Sequence, residues 1–185
     1  MCGPMVVATL EGRKGQTRRV LNPQPGPEIT EVCHGDGSEW LLYIKQKYGQ
    51  ESEIVCPYGQ PGDRLWVREN FLDSNAIGSR ARTMAEVTAI LYQATCTGCG
   101  PYKWRPSIHM PRWASRITLE ITDVRVERVR DITTLDAIAE GCEVDAVKCL
   151  SSVDVYQSLW DSLNAKRGFG WSTNPFVWVI CFRKL

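Results

Sequence analysis

One stretch restricts the fold more than any other: Ser115 to Val129, where Ile117, Leu119 and Ile121 alternate with other residues and Val124 and Val126 then resume one step out of phase. A period of two over that length is a β-strand with one apolar face, and the break at Thr122-Asp123 marks a bulge or a bend. Long bent strands of this kind suit a small barrel. Phe176 to Phe182 is apolar on both faces and reads as the closing strand.

The 185 residues are 43% apolar, enough for one core without staples, so a single domain over 1–185 is expected. Pro4 opens a short helix carrying Met5, Val6, Thr9 and Leu10 and ending at Gly12. Lys14 to Leu21 continue as a basic first strand. Pro23, Pro25 and Pro27 then break regular structure, and 22–55 reads as an irregular insertion in which Trp40 to Tyr48 is a helix turn or a strand. After the Pro61-Gly62-Asp63 turn, Leu65 and Val67 face one side and Trp66 and Arg68 the other. The same period turns Glu69 inward, where a carboxylate is costly unless paired or useful. A second insertion, 71–112, contains a short strand at Ala89 to Gln93. Thr133 or Thr134 caps a helix through Leu135, Ile138 and Ala139, with Gly141 as its stop and Glu140 at its end. Ser151 or Ser152 opens another, whose buried face is Tyr156, Leu159, Trp160 and Leu163. These elements predict a mixed α/β (α+β) protein.

Lys plus Arg number 22 against 21 Asp plus Glu, so no global field attracts a polyanion and any nucleic-acid contact must come from a local patch. Met1 to Leu10 lacks a basic region followed by a long apolar stretch, and no segment approaches the ~18 apolar residues of a membrane span. A cytoplasmic protein without a membrane partner is expected. The eight cysteines are expected to be mostly reduced, several of them buried. Cys96-Thr97-Gly98-Cys99 has the knuckle spacing of a zinc site but supplies two of four ligands, with Cys33, His34 and Cys56 as candidates to complete it. Without a second pair at metal spacing, the expectation is a reduced turn with no metal and no cofactor. His34 and His109 have no visible catalytic partner, and no phosphate-binding glycine loop is present.

Two stretches carry the chemistry. Lys14 and Thr17 leave the Gly12 turn together, followed by Arg18 and Arg19. A lysine near other cations can serve as a base and a neighbouring threonine as a nucleophile, whereas the plainer reading is a solvated basic edge strand. Lys103 to Arg116 interleaves rings with guanidinium groups, an order that suits stacking on an unpaired base while arginines hold phosphate oxygens. Trp104, Arg105, Arg112, Trp113 and Arg116 are the candidates there, with His109. Against this stands a structural reading in which both tryptophans pack beneath a loop stiffened by its prolines.

Leu10-Glu11-Gly12-Arg13-Lys14-Gly15-Gln16-Thr17-Arg18-Arg19 resembles the G-R-K-x-x-T-x-R opening of ASCH domains, a branch of the PUA-like barrels. Pro61-Gly62-Asp63-Arg64-Leu65, Ala139-Glu140-Gly141 and Val177 to Phe182 resemble, in order, the family's G-D strand opening, short helix end and last strand. The longer phage and prophage members are similar over nearly the whole chain, including Lys103 to Arg116 and Pro57-Tyr58-Gly59. The resemblance implies a PUA-like mixed barrel of five or six strands with short flanking helices, elaborated by the two insertions. In the family's small bacterial amidohydrolases, which deacetylate N4-acetylcytidine, it would make Lys14 the base, Thr17 the nucleophile and Glu140 the carboxylate, with Glu69 or Glu143 as alternatives for the last. The expected partner is a nucleoside or single-stranded nucleic acid, held by Arg18, Arg19, Trp66, Glu69, Trp104, Arg105, Arg112, Trp113, Ser115 and Arg116. A noncatalytic RNA- or DNA-binding module and a nuclease are the competing readings.

Overall fold

The computed structural model describes residues 3–25, 29–34, 42–46, 51–73, 90–97, 103–144 and 149–185. The fold is mixed α/β. Its main sheet is antiparallel and curls into a half-barrel, in the order β1 (Gln16–Val20), β9 (Phe176–Lys184), β8 (Thr118–Arg128), β5 (Arg64–Trp66). The strand expected to close the sheet is thus an interior one, and Phe176 through Ile180 are all buried. Both faces of β9 are covered, which is why its sequence does not alternate.

The break at Thr122 is a bulge. Ile121 pairs with Phe182 and Asp123 with Cys181, so Thr122 is the extra residue. The bulge keeps Ile121 and Val124 on one face, in a core with Leu21, Phe176, Trp178 and Ile180. It also gives Asp123, Arg125 and Glu127 the opposite face, which α2 (Thr134–Ala139) and α3 (Ser152–Asn164) cover. There Val129, Val177 and Val179 meet Ala137, Tyr156 and Trp160. A third cluster joins Val6 of α1 (Gly3–Leu10) to Val67, Ile117, Leu119 and Phe182.

Three expectations change. Residues 29–34, 42–46 and 51–54 are β2, β3 and β4 of an antiparallel meander, not an irregular excursion. Each is short and interspersed with polar residues, so its alternation does not stand out in the sequence. Of the Trp40 to Tyr48 stretch, 42–46 is strand and the rest lies outside the described residues. Leu163 is exposed, and the buried row of α3 is Ser152, Tyr156, Trp160 and Asn164. The contact follows the four-residue ridge, which winds around the helix and by the last turn has passed from Leu163 to Asn164. Leu135 and Ile138 are exposed as well, because six-residue α2 turns Ala137 and its carboxylates toward the sheet.

The strand expected at 89–93 is β7 (Ile90–Tyr92), paired with β6 (Phe71–Asp73). Cys96 is disulfide-bonded, which corrects the reduced turn; its partner lies outside the described side chains. Spacing along a chain does not report which sulfurs meet. A disulfide sulfur offers no thiolate to zinc, and Cys99 is outside the described residues. No described helix is long and apolar enough to cross a membrane.

Candidate functional site

Lys14 is placed by two chain reversals. After α1, Gly12 takes φ 76° and the Arg13 and Lys14 N–H groups donate to the Ala8 carbonyl. On the facing side α2 begins with a capping box between Thr133 and Asp136 and ends with Gly141 at φ 87°. Gly141 N–H reaches the Ile138 carbonyl at 2.8 Å and Cys142 N–H the Ala137 carbonyl at 3.0 Å, the Schellman closure that glycine makes easy. A Cβ on Gly141 would sit 3.3 Å from Ala8 Cβ and 3.5 Å from Lys14 Cβ. The closure leaves Glu140 at the helix end facing Lys14.

The Lys14 ammonium donates to Glu140 Oε2 at 2.8 Å, to the Glu140 carbonyl at 2.7 Å and to the Gln16 carbonyl at 2.7 Å. Its three donors are filled, and both side chains of the pair are 5% exposed. A helix C-terminus is a favourable place for a cation, so carboxylate and carbonyl act together. Among the three candidate glutamates, Glu140 is the one that reaches Lys14. Glu143 is exposed and accepts from Arg13, and Glu69 pairs with Arg116.

Beside this pair lies a wider ionic group. Arg18 is buried, with Nη2 3.1 Å from Glu127 and 3.4 Å from Asp136, and Nη1 3.6 Å from Glu140 Oε1. Arg125 donates to Glu127, Asp123, Asp136 and the Cys181 sulfur. Burial pushes the Asp136 carboxyl up, but the Thr133 hydroxyl and N–H and the Arg18 guanidinium outweigh it and hold Asp136 below the ordinary aspartate value. Burial also drives the Tyr156 phenol upward, with Glu140 adding to the effect, and it raises the Cys181 thiol against the pull of Arg125. The plainer reading of a solvated basic strand therefore fails at Lys14 and Arg18 and holds at exposed Arg19. Thr17 alternates away from Gln16 and Arg18, pairs across β1 with Ile180, and its hydroxyl makes no hydrogen bond among the described residues.

The second group lies at the other edge of the sheet, on β5 and the segment 103–116. Glu69 is 2% exposed and takes a bidentate pair from Arg116, Nε and Nη2 each at 2.9 Å. Arg116 in turn lies over the Tyr92 ring at 4.0 Å. The Ser115 hydroxyl donates to backbone carbonyls of Val67 and Ile117, and Trp113 packs with Trp66 and Tyr92 around Phe71, Met110 and Ala114. Of these, Glu69 is buried, Trp113 and Ser115 are half-buried and Arg116 is exposed.

The outward chemistry is carried by Trp66 and the arginines over it. Arg68 lies 4.6 Å and Arg112 5.8 Å from the Trp66 ring centre, and both are exposed. Arg112 donates to the Thr118 hydroxyl at 3.2 Å and Arg68 to the Ile108 carbonyl at 3.4 Å. Exposed Arg105 lies over Phe71 at 5.8 Å, Lys103 and His109 are exposed nearby in the chain, and Trp104 is half-buried. Arg68 was missed among the candidates, although its alternation with Trp66 places the two on one side.

The structure thus brings Lys14 together with Glu140 and Arg18, Glu69 with Arg116, and Trp66 with Arg112. It sets β1 and β5 at opposite edges with β9 and β8 between them, so these residues form two groups. Comparison of the chain with known protein families, with curated proteins and with solved structures gives no match.

Proposed function

We propose that this protein recognises nucleic acid through the arginine-rich face around Trp66, on a PUA-like barrel of the ASCH type. The observation that carries the reading is the pair of exposed arginines, Arg68 and Arg112, lying on one tryptophan. From Lys103 to Arg116 the chain has four Lys and Arg and no Asp or Glu, so a near-neutral protein concentrates cations at one place. Local cations with planar groups beside them suit phosphate and base together. The test is fluorescence anisotropy of labelled RNA and DNA oligonucleotides as a function of salt. Binding that weakens with a log–log slope of about −2 to −4, and that falls in Arg105→Ala and Lys103→Ala, supports it. Absence of binding at low salt refutes it.

A second reading, N-acyl amidohydrolysis of a cytosine-type nucleoside, is favoured by the buried Lys14–Glu140 pair and by Glu140 Oε1, which makes no hydrogen bond among the described residues and can accept an N–H. For it to hold, Lys14 must release a proton from an ammonium with three filled donors, and Thr17 must turn toward it. Turnover of N4-acetylcytidine, lost in Lys14→Ala and Thr17→Ala, would establish the reading; no turnover by folded protein would reject it.

A further inference from the structure

Resting on the nucleic-acid reading, we infer that Ile108 is a wedge that enters a double helix at a weakened base step, so that the ligand class of this face is duplex interrupted by a mismatch or an unpaired nucleotide. Ile108 is 71% exposed and stands at the tip of the turn Ser107–His109, between Lys103 and Arg105 on one side of the chain and Arg112 on the other. A single exposed apolar side chain is ordinary on a protein surface. The case for Ile108 lies in its mount and its surroundings.

The turn is held from several sides. His109 N–H donates to the Pro106 carbonyl at 3.0 Å and Met110 N–H to the Ser107 carbonyl at 3.1 Å, and Pro106 and Pro111 bound the turn at φ −59° and −76°. Ser107 N–H donates to Asn70 Oδ1 at 2.9 Å, Asn70 Nδ2 to Gln93 Oε1 at 2.9 Å, and Arg68 to the Ile108 carbonyl at 3.4 Å. Behind the tip, Met110 is buried with Phe71 and Ala114, and Arg105 and Phe71 exchange backbone hydrogen bonds in both directions. A side chain on so fixed a backbone loses little further freedom when it inserts. Trp66 and Trp113 are both half-buried against the same cluster, whereas the isoleucine stands clear of it.

An apolar group that parts two base pairs needs cations beside it to hold the phosphates while the stack opens. Arg68, Arg105 and Arg112 are exposed, and no residue from 103 to 116 is acidic. A stack already broken by a mismatch costs less to open than an intact one, so a wedge favours the imperfect duplex.

The test uses the full chain with hairpin duplexes of equal length, intact or with one mismatch beside a 2-aminopurine, and compares wild type with Ile108→Ser, a change at an exposed position that leaves the buried cluster untouched. Wild type should bind the mismatched duplex more tightly, with a rise in probe fluorescence as the stack opens. Ile108→Ser should lose about tenfold of that affinity and most of the rise, with an unchanged salt slope. Equal wild-type affinity for the two duplexes, or an Ile108→Ser protein that matches wild type in affinity or in fluorescence, overturns the inference and leaves the nucleic-acid reading standing. So does binding to phosphatidylserine vesicles that Ile108→Ser loses while its duplex affinity holds, which would assign the tip to a membrane surface. Failure of wild type to bind either duplex or a single strand at low salt overturns both.

Discussion

Replacing Lys14 with Met keeps the aliphatic stem and deletes the ammonium, which isolates what the clamp contributes. Three acceptors lose their partner at once: Glu140 Oε2, the Glu140 carbonyl and the Gln16 carbonyl. Breaking a buried ion pair from one side costs about 3–5 kcal/mol, because the remaining charge stays desolvated. Arg18 Nη1 stays 3.6 Å from the other Glu140 oxygen and offsets part of that, so the lower end, about 3 kcal/mol, is expected. For a chain of this size that is about 6–12 °C in Tm. Urea unfolding followed by tryptophan fluorescence measures it, and Glu140→Gln with the double variant completes the cycle. The double variant should be less destabilised than the sum of the singles by well over 0.5 kcal/mol. A Lys14→Met loss under about 1 kcal/mol, or simple additivity, would refute the view that this pair holds α2 to the sheet.

Three further outcomes follow from the same geometry. Arg116→Met should destabilise by about 3 kcal/mol by leaving the Glu69 carboxylate buried without its cation, and adding Glu69→Gln should recover much of it in the same unfolding assay. Gly141→Ala should cost about 1–2 kcal/mol, since φ is 87° and the new methyl presses on Ala8; a neutral result by calorimetry would contradict the Schellman geometry. Asp136 titrates lower in the folded state than in the unfolded chain, so its contribution is present above the ordinary aspartate pKa of about 4 and fades as pH falls through the depressed value. Acid unfolding of Asp136→Asn should therefore show a shallower loss of stability below about pH 4, and an unchanged acid limb would sink the assignment.

Local chemistry was legible in the chain. The Thr122 bulge, the Gly141 stop with Glu140 before it, and the short strand near residue 90 all follow from periodicity and turn residues, which act over a few positions. That Glu69 would need a partner was readable too, because a carboxylate at an inward position of an apolar period cannot stay alone. Its partner was not: Arg116 is 47 residues away, and it reaches Glu69 through the packing of segment 103–116 against β5. Lys14 with Glu140, 126 residues apart, is the same case, proposed from resemblance and assembled by the Schellman end of α2. From spacing alone Lys14 to Arg19 read as a solvated edge, and only α2 and α3 docking on one face of β1 buried Lys14 and Arg18 while leaving Arg19 outside. Covalent order sets turns and phases, whereas which charge meets which across a sheet depends on long-range burial, and the cost of leaving a buried ion alone is settled only when distant segments close on one another.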